Sequence, residues 1–344
     1  MKILSDYNLK QIETELADYP KFRAKQLFDA IIQSKDFNET LLPKSMIEEL
    51  ETSYILKPVE IFQVLESKDG TKKYLLKTYD NNLVESVFLK QNYGNTICLS
   101  TQIGCRMGCK FCASTKNGLI RNLTCGEMIS IIATINADNG KRTERNFSNI
   151  VLMGSGEPLD NYDNVVKWLN LITDKNGFNV SERNISLSTC GLVDKIYDLS
   201  KEKFNITLCL SLHATTDEKR KQIMPIANRY TIQEIMSALR EYVKINNRRV
   251  VFEYCLIKDM NNSDEDIHRL KQLTNGLLCH VNVICLNPNG GTLKATTRAE
   301  AVEFVKKLNA SGVSATLRRS QGSDIEGACG MLRAKVLDEL KNKN

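Results

Sequence analysis

The sequence predicts an α/β fold built as a (βα) barrel or partial barrel, with a doubly wound open sheet as the alternative. From residue 96 onward, short apolar runs alternate with segments of helical periodicity. The apolar runs are rich in Val, Ile, Leu and Cys and lack polar alternation, as strands buried on both faces of a parallel sheet require. The 344 residues, 42% hydrophobic and 26% charged, suit one large globular domain or two smaller ones.

The N-terminal block, residues 1–57, is predicted to be a small helical domain. Apolar residues recur every three to four positions between residues 6 and 54, and Pro20 and Pro43 are expected to start new helices. Residues 1–58 contain eight Lys and Arg against ten Asp and Glu. This block is therefore slightly acidic, and the formal net charge of +6 arises in the rest of the chain.

Residues 58–95 are predicted to form a β-hairpin segment. Three short runs have strand character, and they are separated by turn signals at Asp69-Gly70 and at Asp80-Asn81-Asn82. The runs are 61–65, 73–78 and 83–89.

Seven strands are predicted in residues 96–332, with helices between most of them. The strands are 96–100, 149–153, 184–189, 206–212, 249–256, 280–286 and 313–317. In a barrel of parallel strands, functional residues follow the carboxyl ends of the strands. The lysine-rich end, residues 333–344, is predicted to be a basic tail.

The composition excludes several classes of protein. Eleven cysteines are too few for a disulfide scaffold, and an odd number cannot pair completely, which favours a metal site or a catalytic thiol. The N-terminus lacks a signal-peptide pattern, and no apolar run is long enough to cross a bilayer. We therefore expect a cytoplasmic protein without membrane contact, and its positive charge permits a polyanionic partner.

A Cys-x3-Cys-x2-Cys spacing is predicted to follow the first barrel strand directly. It comprises Cys105, Cys109 and Cys112, with Gly104 and Gly108 in the same loop. Three thiolates close in sequence can each bind one iron of a cubane cluster and leave the fourth iron open to a substrate. The alternative is a zinc site of three cysteines and one histidine, although zinc sites usually pair two Cys or His knuckles.

This spacing, with an aromatic residue before the third cysteine, resembles the radical S-adenosylmethionine (SAM) superfamily. Five further segments resemble the RlmN family of adenine-C2 RNA methyltransferases within it. They are Met-Gly-Ser-Gly-Glu-Pro-Leu at 153–159, Leu-Ser-Thr-Cys-Gly at 187–191, Ser-Leu-His-Ala at 211–214, Leu-Asn-Pro at 286–288 and Gly-Ser-Asp-Ile-Glu-Gly-Ala-Cys-Gly at 322–330. The resemblance implies that residues 96–332 form a radical-SAM partial barrel ending in a catalytic cysteine loop.

The resemblance also implies the cofactors, a [4Fe-4S] cluster on Cys105, Cys109 and Cys112 and SAM on its open iron. In the family, an electron from the cluster cleaves SAM to a 5′-deoxyadenosyl radical. The implied SAM-binding residues are Gly156, Glu157, Ser188, Ser211, Leu212, His213 and Asn287. Taken singly, Ser188, His213 and Asn287 could instead each cap a following helix, and Gly154 and Gly156 could serve a plain strand-to-helix turn.

Three more residues have roles implied by the resemblance. Adenine C2 is electron-poor, so displacement on the SAM methyl group cannot methylate it and radical chemistry is required. By resemblance, Cys329 takes a methyl group from one SAM, and the radical from a second SAM activates that methyl group for addition to C2. Glu85 then removes the C2 proton, and Cys98 releases the RNA by forming a transient disulfide with Cys329. From the residues alone, core burial is the alternative for Cys98 and a solvated position is the alternative for Glu85.

The partners implied by the resemblance are 23S ribosomal RNA, transfer RNA and an electron donor such as flavodoxin or ferredoxin. The target adenosines would lie in the peptidyl-transferase centre and just 3′ of the anticodon. Five basic residues and no acidic one lie between Glu85 and Glu127, which is where a phosphate backbone should approach. These basic residues are Lys90, Arg106, Lys110, Lys116 and Arg121. The N-terminal helical domain is also expected to contact RNA, and the target adenine must leave its stack.

Three rival functions stay open. The first is a Cfr-type adenine-C8 methyltransferase that confers antibiotic resistance, although Pro158 and Ala214 favour the C2 group. The second is a radical enzyme acting on protein or small molecules, and the third is a zinc-stabilised RNA-binding module without catalysis. Four residues depart from those usual in the family, namely Ser155, Ala227, Gly327 and Met331. The six remaining cysteines are predicted to be core residues, namely Cys125, Cys190, Cys209, Cys255, Cys279 and Cys285.

Overall fold

Three short helices and a two-stranded ribbon form the N-terminal part of the computed structural model, which describes residues 1–287 and 291–332. The elements are β1 (Lys2–Ile3), α1 (Leu9–Glu15), α2 (Lys21–Ile32), α3 (Lys44–Ser53) and β2 (Tyr54–Ile55). Pro20 and Pro43 directly precede α2 and α3, as predicted. This part packs on helix α4 (Cys125–Asp138), where the Ser5 hydroxyl donates to the Gly126 carbonyl over 2.9 Å.

Three antiparallel strands follow, in agreement with the hairpin prediction. They are β3 (Val59–Glu66), β4 (Lys72–Thr78) and β5 (Leu83–Leu89). Strand β5 also pairs antiparallel with β6 (Thr96–Cys98), where Val87 is opposite Cys98. The hairpin strands thus extend the central sheet. The domain boundaries drawn at residues 57 and 95 stay predictions, and the basic tail at 333–344 and Pro288 lie outside the described residues.

Seven parallel strands form the centre of the sheet. A separate ribbon, β7 (Gln102–Gly104) and β8 (Leu119–Asn122), interrupts the series after β6. The other six central strands are β9 (Asn149–Leu152), β10 (Ile185–Thr189), β11 (Thr207–Ser211), β12 (Val250–Leu256), β13 (Cys279–Cys285) and β14 (Ala315–Leu317). Each central strand lies beside the next one along the chain. A doubly wound sheet would reverse this order at a switch point, so the partial barrel is confirmed and the alternative is wrong.

Helices cover the outer face of the sheet. After α4 they are α5 (Tyr162–Thr173), α6 (Val193–Lys201), α7 (Asp217–Ile223), α8 (Ile232–Asn246), α9 (Asp264–Thr274) and α10 (Arg298–Ala310). In β11, Leu208 and Leu210 belong to the hydrophobic core, whereas Thr207, Cys209 and Ser211 line interior cavities. The two faces of the strand therefore differ, because successive side chains point to opposite sides. Within the described residues, no helix combines the length and apolarity of a membrane span.

Candidate active site

The three-cysteine loop lies between β7 and β8. The prediction that it follows the first barrel strand directly is wrong, because residues 102–104 pair with residues 119–122 and insert a strand before Cys105. Gly104 has a φ of +78°, and a Cβ atom there would lie 2.0 Å from the carbonyl oxygen of Gly118. The Cys105 N–H donates to that same carbonyl over 2.9 Å. Gly104 and Gly118 thus close the base of the loop.

We expect Gly104→Ala to destabilise this loop more than Gly118→Ala does. Both glycines have positive φ, but a Cβ on Gly118 would meet no atom within 4 Å. Alanine at either position carries a conformational cost of about 1–2 kcal/mol, and overpacking at Gly104 adds about 1–3 kcal/mol. The difference in stability between the two variants is measured by thermal unfolding, and the integrity of the cysteine loop by the iron bound after anaerobic reconstitution. Equal behaviour of the two variants would contradict this account of the loop.

All three loop cysteines line one cavity at the carboxyl ends of the central strands. The cavity is open to solvent on one side, and about 920 Å³ of space lies between its walls, part of it bulk solvent. Most of the residues expected at the site also line it, and these are Cys105, Cys109, Cys112, Gly156, Glu157, Ser188, Ser211, His213, Asn287 and Cys329. We call this space the cofactor cavity. Cys105 and Cys329, which are 224 positions apart in the sequence, therefore line the same cavity, as a barrel requires.

The loop cysteines fit an iron-sulfur cluster by their donor type and arrangement. Among residues 1–287 and 291–332, no three His, Cys, Asp or Glu side chains are placed to share a single metal ion. A cubane cluster instead needs each thiolate to bind a different iron. Burial raises the pKa of Cys105 to about 12 and that of Cys109 still further. The thiolates thus require a compensating positive charge, which iron would supply.

Gly156 and Glu157 form a rigid corner of the cofactor cavity. Gly156 has a φ of +106°, and a Cβ atom there would lie 2.7 Å from the Cβ of Gln102. The buried Glu157 carboxylate accepts the Cys190 N–H over 2.8 Å and the Leu159 N–H over 3.1 Å. Burial nevertheless raises its pKa. A carboxylate held this way, with a small residue beside it, fits the ammonium end of an amino-acid-like cofactor such as SAM.

His213 faces the cofactor cavity as a neutral imidazole. It is buried, has a φ of +54°, and its Nδ1 accepts the Cys255 N–H over 3.0 Å. Burial lowers the pKa of His213 to about 3, and the positive charge of Arg220 adds to this effect. The ring packs edge-on against Phe111, with 4.4 Å between the centroids. Because Nδ1 is an acceptor, Nε2 carries the proton and is the donor.

Helix capping is wrong as an explanation of Ser188, His213 and Asn287, whereas the Glu157 carboxylate does cap the short helical turn 158–161. The residues that precede α6, α7 and α10 are Leu192, Thr216 and Thr297, none of them a predicted SAM contact. Asn287 instead donates from Nδ2 to the Cys329 carbonyl over 3.0 Å. Leu212 is the one predicted SAM contact outside the cofactor cavity, because its side chain points into the hydrophobic core.

A second and larger space fills the barrel interior, and we call it the interior cavity. It encloses about 2,780 Å³ and is lined by both Cys98 and Cys329. Cys329 lines the cofactor cavity as well. Burial, and then the neighbouring Cys329 thiol, raise the pKa of Cys98 to about 12. Cys98 is thus buried, as the core alternative holds, and yet borders the interior cavity. All eleven cysteines are free thiols in the structure.

The segment that carries Cys329 is fastened to the cysteine loop. The Ala113 N–H donates to the Gly330 carbonyl over 2.8 Å, and the Ser114 hydroxyl donates to the Leu332 carbonyl over 2.9 Å. Leu332 is buried and packs in one apolar cluster with Cys98. These contacts fix Cys329 beside both the loop cysteines and the first barrel strand.

Glu85 is not brought to either of these cavities. It lies in the middle of β5 and lines a separate cavity of about 460 Å³. Its carboxylate pairs with the ammonium of Lys73 over 2.7 Å, and both side chains are buried. Burial raises the pKa of Glu85, while Lys73 opposes that effect. The solvated alternative for Glu85 is therefore wrong.

A charged pair between the cavities, the buried Glu253 and the half-buried Arg318, was missed by the sequence reasoning. Arg318 and Glu253 line both cavities, and the guanidinium donates to the Glu253 carboxylate over 3.4 Å and to the Met153 sulfur over 3.3 Å. Asn282 donates to the other Glu253 oxygen over 3.1 Å. A single glutamate inside the apolar run of β12 was the signal that could have revealed this pair.

The structure adds to one sequence expectation about surrounding residues and corrects another. The first concerns the six predicted core cysteines, of which Cys125, Cys190, Cys209 and Cys255 are buried in the core as predicted, while Cys279 and Cys285 are half-buried against it. The addition is that Cys190 and Cys255 also line the cofactor cavity, Cys209 the interior cavity and Cys285 both. The basic stretch is also partly neutralised by distant carboxylates. Arg106 donates to Asp160 over 3.0 Å, and Arg121 bonds Asp80 and Glu127.

Comparison with known proteins agrees with this geometry. Residues 99–270 match the Radical SAM superfamily. A probable dual-specificity RNA methyltransferase RlmN of Clostridium botulinum (strain Eklund 17B / Type B) is 47% identical over 343 residues, covering 98% of each chain. The chain belongs to the RlmN family. The RlmN protein of Clostridium acetobutylicum, also named a probable dual-specificity RNA methyltransferase, is 44% identical and matches along the whole of both chains.

A solved structure supports the same assignment. The radical SAM methyltransferase from Sphaerobacter thermophilus superposes with a TM-score of 0.92 at 38% identity, covering 97% of this chain and 100% of that one. As an RlmN-family member, this chain is a methyltransferase with SAM and an iron-sulfur cluster as its cofactors.

Proposed function

We propose that the chain methylates C2 of adenosine in RNA, at the peptidyl-transferase centre of 23S ribosomal RNA and just 3′ of the anticodon in transfer RNAs. One observation carries the proposal: Cys329 borders both the cofactor cavity and the interior cavity that contains Cys98. A thiol in this position can receive a group on one side and deliver it on the other. The relatives reported above are named as RNA methyltransferases, which supports RNA as the substrate.

The cofactors supply the reactive groups, and the protein residues bind SAM and carry the methyl group. When bound on Cys105, Cys109 and Cys112, a [4Fe-4S] cluster with SAM supplies a methyl group and, after reduction by a donor such as flavodoxin or ferredoxin, a 5′-deoxyadenosyl radical. Glu157 holds the ammonium end of SAM, and Ser188, Ser211, His213 and Asn287 contact the rest. Cys329 carries the methyl group from the cofactor cavity toward the adenine.

Release of the RNA is the task of Cys98 and Glu85. Once the methylene carbon bridges Cys329 and adenine C2, the adduct must lose one electron, which the cluster would take up, and the C2 proton before the bond to sulfur can break. The Cys98 thiolate attacks the Cys329 sulfur as the bond from that sulfur to the methylene carbon breaks. The carbon keeps the electron pair and takes up a proton, which completes the methyl group, and the resulting disulfide must be reduced by two electrons before another turnover. Glu85 is assigned as the base, and its raised pKa suits proton uptake, although it must reach the adenine from its own cavity.

The interior cavity suits an extruded nucleotide. About 2,780 Å³ of space lies between its walls, part of it open to solvent, and the basic residues that line it besides Arg318 are Lys90, Arg183, Arg249 and Arg319. Positive charge at the rim attracts the phosphate backbone, while the base enters the interior. Helices α1 to α3 line neither cavity, so RNA contact by the N-terminal part would occur outside the reaction site. A protein with these substrates works in the cytoplasm.

Nucleoside mass spectrometry of a deletion strain tests the proposal. We expect 2-methyladenosine to disappear from 23S ribosomal RNA and from transfer RNA, and to return with the wild-type gene but not with Cys329→Ala. An unchanged level in the deletion strain refutes the assignment, and loss of 8-methyladenosine would identify Cfr-type chemistry instead. Metal analysis of natively purified protein adds a second criterion, because stoichiometric zinc without iron would support the binding-module alternative.

A further inference from the structure

Tyr93 is a strongly exposed aromatic residue at the rim of the interior cavity. It is 78% exposed and lies between β5 and β6, on the turn that leads into Cys98. It nevertheless lines the same cavity as Cys98 and Cys329. A large apolar ring left in water at the entrance of a reaction cavity is typical of a binding surface.

The turn that carries Tyr93 is held in place on both sides. The Gly94 N–H donates to the Gln91 carbonyl over 3.1 Å, and the Asn95 carbonyl accepts the Ser148 N–H over 2.8 Å. Gly94 has a φ of +116°, and a Cβ atom there would lie 2.6 Å from the Ser148 hydroxyl oxygen. The backbone is therefore fixed against the neighbouring loop. The turn that carries the Tyr93 ring is thus already ordered before a ligand binds, which reduces the conformational entropy lost on binding.

The same turn is connected to the segment before Cys329. The Gln91 side chain donates from Nε2 to the Gln321 Oε1 over 2.9 Å. Lys90 and Arg319 flank this connection and line the interior cavity. An aromatic face with cations beside it is the combination that proteins use to bind single-stranded nucleic acid, because bases stack on the ring and phosphates meet the cations.

Extrusion of the target adenine leaves a neighbouring RNA base without a stacking partner, and an aromatic ring can replace that partner. When a base leaves its stack to reach a buried sulfur, its neighbour in the RNA loses a stacking partner. Cys329 and Cys98 lie inside the cavity and Tyr93 lies at its rim, so the target base passes the ring while the adjacent base stays outside. A tyrosine at this point can replace the lost stacking without reading a particular sequence.

We propose that Tyr93 is a positioning residue whose ring stacks on the substrate base next to the target adenosine. This inference rests on the proposed function, since it requires RNA in the interior cavity. Lys90 and Arg319 then contact the flanking phosphates, which makes binding weaken as salt is raised. Tyr93 takes no part in the methyl-transfer steps themselves.

The test compares Tyr93→Ala and Tyr93→Phe in the anaerobically reconstituted full chain. The probe is a synthetic RNA stem-loop with the target adenosine in its loop and the fluorescent base 2-aminopurine beside it. Replacing a stacking aromatic by alanine is expected to weaken RNA binding about 5- to 100-fold, while Tyr93→Phe binds as the wild type does. The 2-aminopurine fluorescence, quenched by stacking, should rise in the alanine variant alone. Tyr197→Ala, on the outer helix α6, is the matched control and should bind as the wild type.

Each outcome bears on the inference separately from the proposed function. If the wild type forms 2-methyladenosine and Tyr93→Ala binds RNA with unchanged affinity and fluorescence, the inference is wrong while the function stands. Equal losses in Tyr93→Phe and Tyr93→Ala would assign the effect to the hydroxyl group and overturn stacking. A wild type that binds the stem-loop but forms no methylated adenosine contradicts the proposed function, and the fluorescence of the variants still decides the role of the ring.

Discussion

Replacing Cys329 by alanine should abolish RNA methylation and leave the fold and the iron content unchanged. Cys329 and Cys285 both line the two cavities. Cys329 is the better carrier because it lies close enough to Cys98 and to the loop cysteine Cys112 to raise the pKa of both. Loss of a covalent catalytic group lowers activity by roughly three orders of magnitude or more. The measurement is methyl transfer from radiolabelled SAM to RNA and to protein.

The label on the protein distinguishes a catalytic from a structural effect. Wild-type protein should retain a methyl group on a peptide containing Cys329, and Cys329→Ala should retain none. Cys279→Ala is a suitable control, because Cys279 is half-buried and lines neither cavity. Methylated RNA from Cys329→Ala at the wild-type rate would refute the carrier role.

Replacing Cys98 by alanine should trap a covalent complex between the enzyme and its RNA. Cys98 borders the interior cavity and lies close enough to Cys329 for the Cys329 thiol to contribute to the raised pKa of Cys98. Without that second thiol, the Cys329 sulfur has no partner to bond to when the methylene bridge should break. We expect the multiple-turnover rate to fall about 100-fold or more, and a protein-RNA species that withstands denaturation to accumulate.

A denaturing gel with labelled RNA, followed by mass spectrometry, measures the trapped species. Cys209→Ala is the matched control, since Cys209 is also a buried strand cysteine on the wall of the interior cavity. It should turn over without accumulating the complex. If Cys98→Ala released methylated RNA normally, or if Cys209→Ala trapped RNA to the same extent, Cys98 would not be the resolving thiol.

The order of the seven parallel strands and the grouping of the three loop cysteines could be predicted from the sequence alone. The three thiols are separated by only a few bonds, so their spacing limits what they can bind whatever surrounds them. Apolar runs at regular intervals likewise require a parallel sheet covered by helices. From that sheet, the carboxyl ends of the strands follow as the place where Glu157, Ser211 and Asn287 gather.

Only the tertiary structure decided which distant side chains face each other. It paired Arg318 with Glu253, gave Arg121 its carboxylate partners, and kept Glu85 with Lys73 in a cavity of its own. It also showed that Cys190 and Cys255, buried in the core as predicted, form part of the cofactor cavity wall. The local pattern of the sequence indicates which residues are apolar. Which face of a strand lines a cavity depends on the curvature of the whole sheet. That curvature arises from the packing of all the strands and helices together, so no single segment of the sequence contains it.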